Sequence, residues 1–195
     1  MTTDWEDYAY DEYLQEKAEQ ELIQKALKDI SEEAIRSYLT DHGKEFGMRI
    51  TSCITQAEGL IKLAHYGPSL VMSVAAIELI IRYLLIQPLS QGAFLSEEWA
   101  SILSDKIASG RSADDRELLP AILMKWDIDI TKRPISGKQQ LLWETMHKLI
   151  WRKRNDFIHR ALPVSKNESE TALECAHTFI SVVAEIAKIL DVSIK

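Results

Sequence analysis

Three side chains in the stretch from Trp151 to Arg160 have types and spacing suited to phosphate chemistry: Arg154, Asn155 and His159, an Arg-Asn-x-x-x-His pattern. RNA carries its own nucleophile in the 2′-hydroxyl. Its cleavage therefore needs only a base for that proton, a cation for the charge on the phosphorane, and an acid for the departing 5′-oxygen. Histidine suits the first or last role because imidazoles titrate close to neutral pH. Arginine suits the second, since its forked donors fit two phosphate oxygens at once. The chemistry requires no metal, and none is expected here. The chain offers no convincing ligand cluster, and its two cysteines, Cys53 and Cys175, form no C-x-x-C.

The helix that carries these residues decides what they can reach. On a wheel of about 100° per residue, Arg154 falls with the apolar stripe of Trp143, Met146, Ile150 and Phe157. A guanidinium on that face is costly unless it is paired or lines a cleft that receives an anion. Two readings satisfy this: an ion pair with a carboxylate such as Glu78, or a phosphate-binding arginine. Asn155 and His159, four residues apart, share a face, so Asn155 is placed to hold the imidazole.

Charge points the same way locally. The net charge is −7, but residues 1 to 47 hold 13 acidic against 5 basic side chains, which leaves the remainder close to neutral. Between Lys132 and Arg160 eight basic residues face only Glu144 and Asp156. That surplus can attract phosphates, with Arg152, Lys153, Arg160 and Lys148 as candidate substrate-binding residues. Cys175 and His177 face different ways on a helix and make a poor nucleophile and base. Trp126, Trp143 and Trp151 can stack bases, although helical spacing favours packing.

The motif, at the end of an amphipathic helix and followed by Pro163 and another apolar helix, resembles the R-x4-H signature of the HEPN superfamily. These are small all-α domains that include many bacterial toxin and antiviral ribonucleases. The resemblance covers residues 68 to 192. It implies Arg154, His159 and Asn155 as catalytic residues, and it makes Ala76 to Leu85 the first core helix, with Glu78 and Arg82 as a supporting i, i+4 pair. It also implies a homodimer with a composite site, an RNA substrate, and an antitoxin or defence-system partner protein. A non-catalytic HEPN-like module that binds RNA, a nucleotide or a protein is the alternative. In one toxin group a modifiable tyrosine follows the histidine by two positions. Ala161 stands there in this chain, so that regulation does not carry over.

Helices must position all of this. Residues 4 to 40 lack Gly and Pro and repeat apolar residues at helical spacing, which predicts an acidic amphipathic helix with Trp5, Tyr8, Tyr10 and Tyr13 near its start. Gly43 and Gly47 predict a break and divide the chain into an N-terminal segment, 1–47, and a bundle domain, 48–195. Helices are expected from Met48 to Tyr66, Ser69 to Ile86, Lys138 to Ala161 and Asn167 to Leu190, the last opened by Asn167 with Glu170 as a capping box. Ser90 to Ser112 reads as a loop and a short helix, Ala113 to Met124 as a helix, and Asp127 to Gly137 as a loop. The fold class is then all-α, an up-and-down bundle with an extra acidic N-terminal helix. Glu78 and Arg82 interrupt the apolar run Leu70 to Leu89, which favours a buried core helix over a membrane span. No cofactor is expected. The N-terminus lacks a basic start and apolar run, which predicts a cytoplasmic protein.

Overall fold

The computed structural model describes residues 17, 32–88, 119–121 and 123–192. The expected acidic helix up to residue 31, with its aromatic residues, and the elements expected from 89 to 118 lie outside the described residues. Within them the fold is all-α, with no strand. Helix α1 is Glu32–Lys62, and α2 is Tyr66–Leu79 continued by a π-helical stretch, Ile80–Ile86. A 3-10 turn, Met124–Trp126, precedes the loop to α3. Helix α3 runs through three consecutive pieces: α-helical Leu142–Thr145, π-helical Met146–Ile150, and α-helical Trp151–Arg160. Helix α4 is Lys166–Ile189.

The break expected at Gly43 and Gly47 does not occur. Helix α1 passes through both, so position 47 lies inside a helix. Each glycine costs about 0.5–1 kcal/mol relative to alanine. The same helix sinks Tyr38, Leu39, Ile50 and Ile54 into the core, at roughly 1.5–3 kcal/mol for each full burial. Packing outweighs propensity. The turn to α2 is made at Ala64, whose φ of 59° is left-handed.

Helix α2 is the centre of the fold and packs against α1, α4 and α3. Its side chains explain why. Ser69, Ser73, Val74, Ala76 and Ile77 are fully buried, and the small ones let α1 approach closely enough for Ser69 Oγ to donate to the Ala57 carbonyl at 2.9 Å. At the other end Phe46 of α1 stacks on Tyr83, with centroids 4.1 Å apart. The span Tyr66–Ile86 is apolar and long enough by composition to cross a membrane, and 61% of that window is buried within the molecule.

Residues 127–141 form a loop that runs four residues beyond the expected Gly137, because the motif helix begins at Leu142 and not at Lys138; buried Ile128, Ile130 and Ile135 anchor it. A single antiparallel bridge, Pro134 with Leu141, closes it, through Ile135 N–H to Gln140 O and Leu142 N–H to Arg133 O. Asp129 caps its start by accepting from Thr131 N, Thr131 Oγ1 and Lys132 N, and these bonds hold its carboxyl down at about 2.

Helix α4 begins two residues earlier than expected. Ser165, not Asn167, is the N-cap, and Glu168, not Glu170, completes the capping box. Both pairs have the same spacing. The extended backbone of Ser165, φ −79° and ψ 160°, follows the Pro163-Val164 stretch and selects the earlier one.

Candidate functional site

The motif lies on the last ten residues of α3, and the helix delivers it with a shifted phase. The π-helical turn Met146–Ile150 bonds i to i+5, so everything after it is rotated relative to a regular wheel. Leu142, Met146 and Ile150 are fully buried, yet no residue of Trp151–Arg160 is. Arg154, expected on the core stripe, is half-buried at its edge. Phe157 turns toward α2, where its ring covers Gly67. A Cβ at Gly67 would sit 2.2 Å from Phe157 Cε2, so a larger residue there would have to displace the ring.

Arg154 makes one hydrogen bond among the described residues: its Nη1 donates to Asn155 Oδ1 at 3.1 Å. Its Nε is enclosed and has no acceptor. Asn155 therefore holds the arginine, where sequence reasoning had it hold the histidine. His159 is exposed on the same face as Asn155, one turn on, and no hydrogen bond or ion pair to it is found among the described residues. The helix ends just beyond, at Ala161, with φ 50°, where the Asp156 and Phe157 carbonyls accept from Leu162 N–H and Ala161 N–H.

The other cations around the motif are each matched by a carboxylate. Lys148 pairs with Glu144 at 2.6 Å, and Arg152 and Arg160 approach Asp156 at 3.9 and 3.3 Å. Lys132 meets Asp129, Arg133 meets Glu185, and Lys138 meets Glu174. Lys153 reaches across to α4, where its Nζ lies 2.7 Å from Glu168 Oε1. Among the described residues, Arg154 alone of the eight has an amide for company and no carboxylate. Exposed pairs such as those of Lys148, Arg152 and Arg160 are worth about 0–1 kcal/mol, so a phosphate can replace the carboxylate at little cost. The Lys153 pair is different, because the Glu168 side chain is only 17% exposed. Burial would raise the Glu168 carboxyl, but bonds from Lys153 and Ser165 outweigh it and hold the carboxyl below the usual range.

The supporting residues Glu78 and Arg82 lie on α2, on either side of the point at Ile80 where its π-helical stretch begins, and Arg82 is engaged in an interaction. No hydrogen bond or ion pair joins Glu78 to Arg154 among the described residues.

Sequence reasoning missed Glu168. Its signal was the Ser165-x-x-Glu168 spacing, hidden by the equally spaced Asn167 and Glu170.

The remaining candidates are structural. Cys175 is buried, and desolvation pushes its thiol to about 12, which rules it out as a thiolate nucleophile. His177 lies 3.6 Å from Glu58 of α1. Trp143 and Trp151 pack against the core and flank His147 with their rings edge-on, at 4.5 and 4.4 Å. No group of three or more metal-ligating side chains occurs among the described residues. Compared with known proteins, the chain matches no family model, no curated protein and no solved structure.

Proposed function

We propose that this protein is a metal-independent endoribonuclease of HEPN type. The observation that carries the reading is the state of Arg154. Its guanidinium is half-buried with Nε enclosed and unbonded, and among the described residues it lacks the carboxylate that the neighbouring cations have. A guanidinium in such a place gains most from an oxyanion, and a phosphodiester supplies one. Arg154 then stabilises the phosphorane that forms when the 2′-hydroxyl attacks phosphorus. His159 moves a proton, either from that hydroxyl or to the departing 5′-oxygen. One chain leaves the second proton-transfer role unfilled, and a second copy of the motif across a two-fold axis fills it with its own His159. Exposed Arg152, Arg160 and Lys148 guide the flanking phosphates. As the resemblance implies, the activity serves a toxin–antitoxin or antiphage-defence role in which a partner protein restrains it.

The deciding experiment incubates the purified protein with RNA in EDTA. The expected products carry 2′,3′-cyclic phosphate and 5′-hydroxyl ends. Arg154→Ala and His159→Ala should each slow cleavage by on the order of 10²-fold or more. Equal rates for wild type and both variants would sink the proposal.

A second reading has an observation of its own. Asn155 spends its amide oxygen on Arg154, and no hydrogen bond orients His159 among the described residues. A module that binds RNA without cutting it needs Arg154 and not His159. If wild type binds RNA but produces no new ends, and only Arg154→Ala weakens binding, this reading replaces the first.

A further inference from the structure

The last ten residues of α3 are poorly held by the core, since none of them is fully buried. Their polar side chains mostly bond within the segment: Arg154 to Asn155, and Arg152 and Arg160 to Asp156. Among the described residues, Trp151 packs against the core, Phe157 lies over Gly67, and Lys153 Nζ meets Glu168 Oε1. The last is the sole polar tie to another element found among them.

Glu168 has another bond to keep. Its Oε2 accepts from Ser165 N and from Ser165 Oγ, both at 2.9 Å, while its own N–H donates to Ser165 Oγ at 3.3 Å. One carboxylate thus grips both ends of the loop from Ala161 to Ser165, capping α4 with one oxygen and holding α3 with the other. Lys153 directly precedes Arg154.

We infer that Glu168 is a positioning residue for Arg154, acting through Lys153 to fix the roll of Trp151–Arg160 at the angle that presents the guanidinium to phosphate. The inference rests on the reading of Arg154 as the phosphate-binding arginine. It also gives Lys153 a different task from Arg152 and Arg160, which stay on the solvent face. A displacement of about 1 Å at a reacting group can cost on the order of 10²-fold in rate, so a tether of this kind matters to turnover more than to binding.

Glu168→Gln separates the two jobs of the carboxylate. An amide at this position still completes a capping box, but it no longer attracts Lys153 as an ion. Steady-state cleavage of one RNA oligonucleotide in EDTA and the ¹H–¹⁵N signal of Arg154 Nε are measured on the full chain. In Glu168→Gln, kcat should fall by about 10- to 100-fold with KM changed by less than about twofold, and the Arg154 Nε signal should move. Lys153→Met should reproduce both effects, and the double variant should be no worse than either single. Should Glu168→Gln fail to fold, Lys153→Met, which leaves the cap intact, carries the same test.

A lower KM with unchanged kcat in Glu168→Gln would overturn the inference, because Glu168 would then merely be screening Lys153 from RNA. Unchanged kinetics with an unchanged Arg154 signal would overturn it as well, leaving Glu168 a helix cap. A wild-type chain that cuts no RNA would end the nuclease reading alone. The Arg154 Nε signal would still report whether Glu168 sets its position.

Discussion

Arg154 and Asn155 act as one unit at the residue scale. The Asn155 amide oxygen holds a guanidinium whose Nε is enclosed, and it thereby orients the remaining donors. If that is the role of Asn155 in cleavage, Asn155→Ala should slow the reaction by about tenfold, and it should add nothing in a chain that already carries Arg154→Ala. Had Asn155 served His159 instead, the two losses would multiply. A double-mutant cycle on cleavage rate distinguishes these outcomes. The spacing of Asn155 and His159 was plain in the sequence, but which of its neighbours the asparagine bonds depends on rotamers that spacing leaves open.

At the scale of elements, the motif helix is placed by a glycine and an ion pair at its end and by a π turn in its middle. Gly67 at the start of α2 lies under the Phe157 ring, with no room for a methyl group. Gly67→Ala should therefore destabilise the fold by about 1–3 kcal/mol, an overpacking cost. Thermal denaturation checks this, at roughly 2–4 °C per kcal/mol for a chain of this size. Phe157→Ala should make Gly67→Ala nearly neutral when the two are combined, because the clash then has no partner. Additive losses would show that the ring and the glycine do not meet. The helices themselves were legible from apolar periodicity; the loop from Asp127 to Gly137, whose alternating Ile and Asp also suit a short strand, followed from the want of a second strand to pair with. The phase of their later turns was not. A π turn is a rare departure from the regular i to i+4 ladder, and the apolar period of these stretches does not announce it.

For the whole molecule, the decisive property is assembly. Beside His159, the apolar side chains of Ile158 and Leu162 are each 45% exposed, at the end of the molecule that carries the motif. A two-fold contact through this end would cover them and bring two motif helices together. Light scattering should then give the mass of a dimer, and Ile158→Asp should yield a monomer that has lost cleavage while keeping its helical content. A monomer with full activity in the wild type would refute the composite site.

The sequence by itself determined that the chain is helical, which faces of its helices are apolar, and where an arginine, an asparagine and a histidine recur within one turn and a half. These are local properties, carried by side-chain periodicity and backbone preference over a few residues. It also overruled itself at Gly43 and Gly47, where a modest local penalty signalled a break that the burial of Tyr38, Leu39, Ile50 and Ile54 prevents. Only the tertiary structure decided which cation finds no carboxylate among the described residues. From the sequence, eight basic residues between Lys132 and Arg160 looked alike beside two acids. Folding brings Glu168, Glu174 and Glu185 of α4 to Lys153, Lys138 and Arg133, and leaves Arg154 with an amide. Charge pairing falls off within a few ångströms, and residues far apart in the chain come that close only through the packing of whole helices.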